Sequence, residues 1–396
     1  MNRESNCDIA VGECLAKIAR QPKVKTTDYL ESGAFPVIDQ GTKFVGGYVN
    51  DESLLYTGPL PVVIFGDHNR HIKFVKSPFA VGADGTQLLY PDERFEISYF
   101  YYAIRALPLK NYGYERHFKY LKEERLRVWP LDVQRRIAAI LSAYDDLIEN
   151  NTRRIAILEE MARRIYEEWF VRFRFPGHEG VRMIESELGL VPDRWEHRSL
   201  AQFGDVITGK TPSKANPDFY GRDVPFLKTP DMHGNMFILA TGESLSAQGA
   251  ASQRSKTLPV GSLCVSCIGT IGVVSITTEP CQTNQQINSL VPTEQAALEF
   301  LFFRLKDSKK TLENLGSNGA TMGNVNKSKF EALSVLTPPR DLIVRFHEQT
   351  AQMFALIGTL DRKNRTLRTT RDLLLPKLIS GELDVSAMPE PQALAA

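Results

Sequence analysis

Residues 204–211, with the sequence GDVITGKT, match the Walker A pattern, in which a glycine-rich loop binds nucleotide phosphates. Such a loop needs a buried strand before it and a helix after it, because backbone N–H groups at the helix start bind the phosphates. Pro212 and Pro217 follow closely and exclude a regular helix. The sequence therefore disfavours nucleotide hydrolysis. It favours a polar loop that presents Lys210 and Thr211.

Residues 216–219, Asn-Pro-Asp-Phe, resemble the N-P-P-F motif of DNA amino-methyltransferases. The third residue differs, and no glycine-rich cofactor loop opens a parallel βαβ unit. A turn-forming loop is therefore the better interpretation of this segment. A methyltransferase remains the weaker alternative.

Cys264 and Cys267, with Cys281, are the residues at which a zinc site must be considered. A structural zinc site needs four ligands, usually supplied as two pairs, and no second pair follows. The first two cysteines lie within the apolar run LCVSCI, which predicts buried strand residues. We therefore expect no metal site in this chain.

Basic and amide side chains gather in turn-rich segments of both halves of the chain. Arginine and lysine can pair with guanine and asparagine with adenine, and the same groups bind phosphates. The candidate DNA contacts are His68, Arg70, Lys73, Tyr114, Arg116, His117 and Lys119 in the first half, and Lys210, Thr211, Lys228, Asn324, Asn326 and Lys327 in the second. A single cation is more often a solvated surface charge, so the clusters indicate DNA binding more strongly than any member does.

The composition is that of an ordinary folded protein of 396 residues, long enough for two or three domains. The 48 Lys and Arg residues balance 47 Asp and Glu residues, which excludes a polycationic DNA coat protein and an acidic disordered chain. No apolar run reaches the roughly 20 residues of a membrane helix, and the first residues lack a secretory signal. Five cysteines do not suggest a disulfide framework. We expect a soluble cytoplasmic protein.

Two long amphipathic segments, 131–175 and 339–383, are the elements that must position these loops. Their apolar residues recur at alternating steps of four and three, the spacing of a coiled-coil seam. The seam residues are Ile137, Leu141, Tyr144, Ile148, Asn151, Ile155 and Leu158 in the first segment, and Met353, Ile357, Leu360, Asn364 and Leu367 in the second. One such stripe is typical of a core helix, but two matched stripes predict an intramolecular antiparallel coiled coil. We expect Asn151 and Asn364 to set its register, and Pro376 to kink or end the second helix.

The segments that precede the two helices also repeat one another. Each contains short apolar runs separated by Gly, Pro, Asn and Asp, which predicts strands. Phe35–Ile38 resembles Val224–Leu227, and an aromatic helix follows in each half. A period of roughly 200 residues indicates duplicated domains rather than a solenoid. The predicted fold is α+β, with two globular domains alternating with two long helices.

This layout resembles the specificity subunit of type I restriction–modification systems over essentially the full chain. The most specific stretch is 204–235, where ITGKTPS, a strand and a K-T-x-D segment resemble the opening of that family's target recognition domain. SCIGTIG at 266–272 and TNQQIN at 283–288 match later motifs, and LLLPKLISGEL at 373–383 is similar to the closing segment. The first domain departs more, because it lacks a TGKTPS-type loop. The first stretch adds two candidate DNA contacts, Ser213 and Thr229.

The resemblance implies a non-catalytic reader of a bipartite target in double-stranded DNA. Its domains would be residues 1–130 as the first target recognition domain, 131–176 as the first long helix (the central conserved region), 177–338 as the second target recognition domain, 339–385 as the second long helix (the distal conserved region), and 386–396 as a flexible tail. DNA methyltransferase (modification) subunits, two of them, and restriction subunits would assemble on this chain. S-adenosylmethionine, ATP and Mg²⁺ are expected on those partners, and no cofactor or membrane partner is expected here.

Two other functions remain open on the residues alone. A nucleotide- or S-adenosylmethionine-dependent DNA enzyme would use the Walker A-like and N-P-D-F motifs. A coiled-coil adaptor would have no DNA role. Failure to bind ATP or S-adenosylmethionine would favour the reader over the enzyme, and a DNA-binding assay with the cognate partner would separate the reader from the adaptor.

Overall fold

The chain divides into two compact units in the computed structural model. Unit 1 combines the residues up to Asn150 with those from Asn364 onward, and unit 2 contains Asn151–Lys363. Both boundaries fall inside long helices, so unit 1 is built from two separate stretches of sequence. The residues described are 8–389 except Arg20, Asp84, Tyr112, Tyr114, 187–188 and 318–322.

Unit 1 contains short strands and helices before its first long helix. The strands are β1 (Asp8–Ala10), β2 (Phe35–Ile38), β3 (Gly47–Val49), β4 (Val62–Gly66), β5 (Ile72–Val75), β6 (Ala80–Val81), β7 (Thr86–Leu89) and β8 (Arg125–Arg127), and the helices are α1 (Val11–Cys14), α2 (Ile97–Ala106) and α3 (Phe118–Glu123). Strand β4 pairs antiparallel with β5 and β7. Strand β2 pairs antiparallel with β3 and parallel with β6, while β1 pairs with β8.

The first long helix, α4 (Leu131–Tyr166), leads from unit 1 into unit 2. The unit 2 strands are β9 (Met183–Ser186), β10 (Gly189–Pro192), β11 (Glu196–Ser199), β12 (Gly204–Thr208), β13 (Tyr220–Leu227), β14 (Phe237–Ile238), β15 (Glu243–Leu245), β16 (Leu263–Ser266), β17 (Val274–Thr277), β18 (Gln282–Thr283), β19 (Ile287–Pro292) and β20 (Ser334–Thr337). Its helices are α5 (Thr229–Met232), α6 (Ala247–Ala251), α7 (Leu298–Asp307), α8 (Lys309–Gly316) and α9 (Lys327–Glu331), and α10 (Arg340–Ser380) follows. The largest sheet has the order β12-β19-β16-β17-β14, a second has the order β15-β13-β18, and β11 pairs with β20.

The two units repeat one topology, as the sequence predicts. The β3-β2-β6 sheet corresponds in order and strand direction to β15-β13-β18. The β5-β4-β7 sheet corresponds likewise to β17-β16-β19. Unit 2 has an additional strand, β12, which pairs antiparallel with β19 at the edge of the sheet. In unit 1 the residues described next to β7 form an isolated bridge, between Leu15 and Pro91, in place of such a strand. This difference lies in the segment where the two sequences diverge.

Both long helices start directly after a proline, as expected from residues that lack a helical N–H donor. The regular part of α4 ends at Tyr166 and a π-helical turn, Glu167–Val171, follows, so it is shorter than the predicted segment that ends at Phe175. The reason is packing, since Phe170 in this turn contacts Phe346 with ring centroids 4.9 Å apart. None of the described helices combines the length and apolar composition that crossing a lipid bilayer requires.

Helix α10 continues through Pro376 and ends one turn later at Ser380, so the proline lies in the last turn of the helix, where the helix is predicted to kink or end. Leu375 and Leu378, on either side of the proline, are buried in the core of unit 1. That packing holds the last turns in place despite the missing backbone hydrogen bond. The Trp129 indole also donates to the Ile379 carbonyl at 3.1 Å, so the helix end is tied to the unit.

In unit 1 the two helices pack antiparallel along their seams. Asn364 Nδ2 of α10 donates to the Ile148 carbonyl of α4 at 3.4 Å. Asp145, one turn before Ile148 on α4, forms an ion pair with Arg371, two turns after Asn364 on α10. The contacts therefore advance in opposite directions along the two helices. Ile137 of α4 lies in the same apolar cluster as the end of α10 and the aromatic residues of α2. The globular part and the helix pair of unit 1 therefore share one core.

Unit 2 pairs the remaining parts of the helices in the same antiparallel direction. The Tyr166 ring lies 6.3 Å from Phe346 near the start of α10, and 5.1 Å from Phe303 of α7. Farther along α10, Ile357 and Leu360 are buried. The other predicted seam residues are buried or half-buried: Tyr144, Asn151, Ile155, Leu158, Met353 and Leu367.

A polar network crosses this helix pair in unit 1. The Tyr102 hydroxyl of α2 donates to Asp145 Oδ2 at 2.7 Å, and Arg371 Nη2 lies 2.8 Å from Asp372 Oδ1. Arg105 of α2 reaches the same two carboxylates at 3.8 and 3.4 Å. Burial and the Asp145 carboxylate raise the pKa of Tyr102, so its hydroxyl remains a donor. The network links α2 to both long helices.

We predict that Arg371→Ala destabilises unit 1 because it leaves Asp145 without its buried partner. Side-chain exposure is 9% for Arg371 and 28% for Asp145, so we expect a loss of about 2 kcal/mol, below the value for a fully buried pair. Urea unfolding followed by circular dichroism measures it. Arg368→Ala, an exposed arginine on the same helix, is the matched control and should change stability by less than about 0.5 kcal/mol. Equal effects of the two substitutions would contradict this role of Arg371.

Candidate nucleic-acid interface

The loop that follows β12 in unit 2 is fixed by its backbone and exposes the Lys210 side chain. The Gly209 N–H donates to the Ile287 carbonyl at 3.1 Å, and the Lys210 N–H donates to the Thr283 carbonyl at 2.9 Å. Gln253 Nε2 donates to the Lys210 carbonyl at 2.8 Å. A Cβ on Gly209 would lie 2.1 Å from the Thr283 hydroxyl, so only glycine fits this crossing. The Lys210 side chain is exposed, and no carboxylate among the described residues pairs with it.

The same hydrogen bonds distinguish this loop from a nucleotide-phosphate loop. The N–H groups of Gly209 and Lys210 donate to strand carbonyls, whereas a Walker A loop directs such groups at phosphate. The next regular element is a 3-10 turn at Pro217–Phe219, capped by Asn216, which accepts from the Asp218 N–H at 3.1 Å. The N-P-D-F segment is therefore a turn.

Buried Asn288 joins the end of β12 to a second polar loop. Its side chain accepts from the Thr208 hydroxyl at 2.6 Å and donates to the Val325 carbonyl at 2.9 Å. The Val325 N–H in turn donates to the Cys267 carbonyl at 2.9 Å, and the neighbouring Asn324 is exposed. These bonds bring the loop after β12 and the loop before α9 to one end of the five-stranded sheet.

Gln285 belongs to this surface and was not among the predicted contacts. The Thr211 hydroxyl donates to Gln285 Oε1 at 2.6 Å, and the glutamine side chain is exposed, as is Ser213 on the facing loop. An exposed amide of this kind can pair with adenine. The run TNQQIN contains the signal, because it places several amides in the turn between two strands, and Gln285 is the exposed one.

Other predicted contacts of unit 2 are either paired within the fold or buried. The Lys228 ammonium forms an ion pair with the Glu243 carboxylate and donates a hydrogen bond to it, which lowers the pKa of Glu243. Thr229 is buried. Asn326 caps α9 by accepting a backbone N–H, and Lys327 pairs at 3.3 Å with an acidic residue one turn later. Lys228, Asn326 and Lys327 are thus engaged in contacts within unit 2, whereas Thr229 is enclosed in its core.

The cysteines of unit 2 are core residues. Cys264 and Cys267 are both buried, and they lie in two different apolar clusters, so the pair does not converge on one point. Burial raises the pKa of the Cys264 thiol to about 12 and that of Cys267 to about 11. Thiols in this state are poor metal ligands.

In unit 1, buried Asp67 holds two polar loops together. The His117 N–H donates to the Asp67 carbonyl at 2.7 Å, and the Phe118 N–H donates to Asp67 Oδ1 at 2.8 Å. Gln87 Nε2 donates to Asp67 Oδ2 at 3.3 Å. His117, predicted as a DNA contact, is itself only 2% exposed. Its position indicates that it orders the loop before α3.

Lys73, another predicted contact, lies inside unit 1. Its ammonium donates to the Phe44 carbonyl at 3.2 Å and lies 3.5 Å from Asp39 Oδ1. Burial lowers the pKa of Lys73, and the Asp39 carboxylate opposes that change. Arg70, which has a positive φ of 63°, directs Nη1 to the Leu109 carbonyl at 2.8 Å. Both cations therefore brace loops of unit 1.

The exposed candidates of unit 1 lie on the same two loops. His68 and Arg116 are exposed, one on each loop. Lys119 is also exposed but pairs with Glu115 at 2.8 Å. Tyr114 lies outside the described residues. The first-half cluster predicted from sequence is thus brought together, with its charges partly paired.

The polar loops of the two units occupy equivalent positions. Gln87 in β7 lies opposite Phe65 of β4, and Asn288 in β19 lies opposite Val265 of β16, its counterpart. Each amide forms a hydrogen bond with the loops at that end of its sheet. The duplication therefore produces two comparable polar surfaces, one on each unit.

Comparisons with known proteins agree with this duplicated design. A family model for the type I restriction modification DNA specificity domain matches residues 192–360. The chain is 35% identical over 309 residues to the type I restriction enzyme HindI specificity subunit of Haemophilus influenzae, which covers 64% of this chain and 67% of that protein. It is 23% identical over 333 residues to the MjaIX specificity subunit of Methanocaldococcus jannaschii, covering 80% and 76%.

A solved structure has the same fold. The crystal structure of the S subunit of a type I restriction–modification system from M. genitalium matches with a TM-score of 0.61 over 96% of this chain and 97% of that one. The sequence identity in that match is 13%, so it supports the fold alone. The identity and coverage of the HindI match support the family. On these grounds the chain belongs to the specificity subunits of type I restriction–modification systems.

Proposed function

We propose that this chain reads a bipartite target in double-stranded DNA, one half with each unit. The observation that carries the proposal is the duplication, which places exposed polar side chains on fixed loops at equivalent ends of two sheets. Arginine, lysine, asparagine and glutamine are the side chains that read base edges and bind phosphates. The exposed or half-exposed residues proposed to contact DNA are His68, Arg116 and Lys119 in unit 1, and Lys210, Thr211, Ser213, Gln285 and Asn324 in unit 2.

The buried or paired members of the predicted set take a positioning role in this proposal. Lys73, Arg70 and His117 in unit 1, and Lys228 in unit 2, hold the loops from which the exposed side chains project. The alternative of an independent nucleotide- or S-adenosylmethionine-dependent enzyme is set aside, because specificity subunits are the non-catalytic DNA-recognition component of these systems.

Specificity subunits of type I systems assemble with methyltransferase and restriction subunits. We propose that two modification subunits bind this chain, and that S-adenosylmethionine, ATP and Mg²⁺ are held by the partner subunits in a cytoplasmic complex. The charge of this chain is near neutral, with 48 basic and 47 acidic residues, which supports a complex in which other subunits share the binding of DNA phosphates. Partner subunits would supply much of the phosphate contact, since neutralising phosphates is the main source of DNA affinity.

The experiment that tests the proposal is methylation sequencing of DNA from cells that express this chain with its cognate modification subunit. The expected result is one motif with two short specific halves separated by a fixed non-specific gap. A continuous motif, or no sequence preference, would contradict the bipartite reader.

We predict that Lys210→Ala relaxes recognition of the second half-site only. If Lys210 reads a guanine, binding of the cognate target by the assembled complex should weaken by roughly 1–3 kcal/mol. Fluorescence anisotropy on targets substituted in either half measures the change. Lys310→Ala, which removes an exposed charge from α8 of the same unit, should leave both halves unaffected.

A different loss would reassign Lys210 without removing it from the interface. Weakening by a similar factor on every sequence, with a shallower salt dependence, would make it a phosphate contact. Unchanged affinity would contradict any role of Lys210 in DNA binding.

We predict that the long helices set the gap between the two halves. Inserting one heptad of seven residues after Asn150 and another after Lys363 keeps the seams in phase and lengthens each helix by ~10.5 Å. The gap should grow by about three base pairs at ~3.4 Å each, while both halves keep their sequences. Methylation sequencing provides the measurement. The same heptad inserted at exposed Gly180, outside both helices, should leave the gap unchanged, and a gap that ignores the helix insertions would refute the role of the helices.

A further inference from the structure

Unit 1 contains a loop that corresponds in backbone position to the Lys210 loop of unit 2, although the two loops differ in sequence. In unit 2 the Lys210 N–H donates to the Thr283 carbonyl at the end of β18. In unit 1 the Val24 N–H donates at 2.9 Å to the Val81 carbonyl at the end of β6. Strands β6 and β18 occupy the same position in their sheets, parallel to β2 and β13. Val24 therefore occupies the backbone position of Lys210.

A second backbone bond fixes the same correspondence. The Gly82 N–H donates to the Ile38 carbonyl at 2.9 Å in unit 1, and the Asn284 N–H donates to the Leu227 carbonyl at 3.1 Å in unit 2. These residues directly follow β6 and β18. Two matched bonds on consecutive residues establish the alignment independently of sequence identity.

The side chains differ in a way that explains why the sequence misses this loop. Val24 is 4% exposed and packs with Val37, Val49 and Ala80. In unit 1 the side chain at the position equivalent to Lys210 is therefore buried in the core. The exposed polar residues of the loop come immediately after it and form a Lys-Thr-Thr run, Lys25, Thr26 and Thr27. All three of these residues are exposed, as are Lys210 and Ser213 at the two ends of the Lys-Thr-Pro-Ser run of unit 2.

The loop is anchored to the other polar loops of unit 1. Lys23 Nζ donates to the Thr86 carbonyl at 2.9 Å, and the Tyr29 hydroxyl lies 3.3 Å from both Asp39 Oδ2 and the Ala83 N–H. Both ends of the Lys-Thr-Thr run are therefore held against the β6–β7 connection. No carboxylate among the described residues forms an ion pair with Lys25, whose ammonium is available to an anion.

We propose that Lys25, Thr26 and Thr27, which follow Val24 as Thr211–Ser213 follow Lys210, form a DNA-contacting loop of unit 1 at the position of the Lys210 loop of unit 2. This inference rests on the proposed function and extends it to residues outside the clusters recognised from sequence. A lysine there can contact a phosphate or a guanine, and threonine hydroxyls can donate to phosphate. The neighbouring Asp28 carboxylate can accept from the amino group of cytosine, so the loop has the chemistry for base contact as well.

The test compares Lys25→Ala with Lys210→Ala in the complete complex with the cognate modification subunit. Binding is measured by fluorescence anisotropy over a series of salt concentrations, on the cognate duplex and on duplexes substituted in either half. We expect Lys25→Ala to weaken cognate binding at least fivefold, and either to reduce discrimination in the first half or to flatten the salt dependence. Lys76→Ala, which removes an exposed lysine of unit 1 that pairs with Asp146 of α4, should change none of these quantities.

The outcomes separate this inference from the function on which it rests. Wild-type discrimination in both halves, with Lys25→Ala indistinguishable from wild type, overturns the loop assignment and leaves the bipartite reader intact. A loss of affinity with neither reduced first-half discrimination nor a flatter salt dependence also overturns it, because the effect would then be indirect. Absence of a bipartite preference in the wild-type complex would instead refute the proposed function.

Discussion

Burial of two long apolar seams is the constraint on which the rest of this molecule depends. A helix of 41 residues such as α10 cannot leave Phe346, Ile357 and Leu360 in water, because each large apolar side chain contributes roughly 1.5–3 kcal/mol when it is buried. In both units this requirement is met by antiparallel pairing with α4. The aromatic helices α2 and α7 then close each core against the pair. The polar loops of both units are thus attached to a frame whose geometry is set by apolar packing.

Much of the fold follows from patterns in the sequence. The heptad steps predict both long helices, and the apolar runs predict matching strands such as Phe35–Ile38 and the end of β13. Periodicity is informative there because a buried stripe must repeat with the period of its element. The exact ends of the helices were less predictable. The π-helical turn that contains Phe170 and the continuation of α10 through Pro376 both depend on packing against a core. The residues of that core are distant from them in sequence.

The candidate interface was predictable as regions and not as individual side chains. Lys210 and Asn324 are exposed as expected, but Lys73 and His117 are buried and Lys228 is paired. Residue type alone cannot separate these cases, because a lysine serves equally well as a ligand for phosphate and as the partner of an internal carboxylate. The decisive information lies in backbone hydrogen bonds between loops and strand ends, which bring together segments as far apart as residues 67 and 117.

The discontinuous make-up of unit 1 has a consequence for biosynthesis. Unit 2 is one continuous stretch, so all of its residues have been synthesised once the ribosome has passed Lys363. Unit 1 begins earlier but lacks Arg371, Leu375 and Leu378 until α10 is nearly complete. Domains usually mature in the order in which they are translated. In this chain the last core residues of unit 1 are synthesised after those of unit 2, so part of the core of unit 1 stays uncovered until the end of α10 emerges.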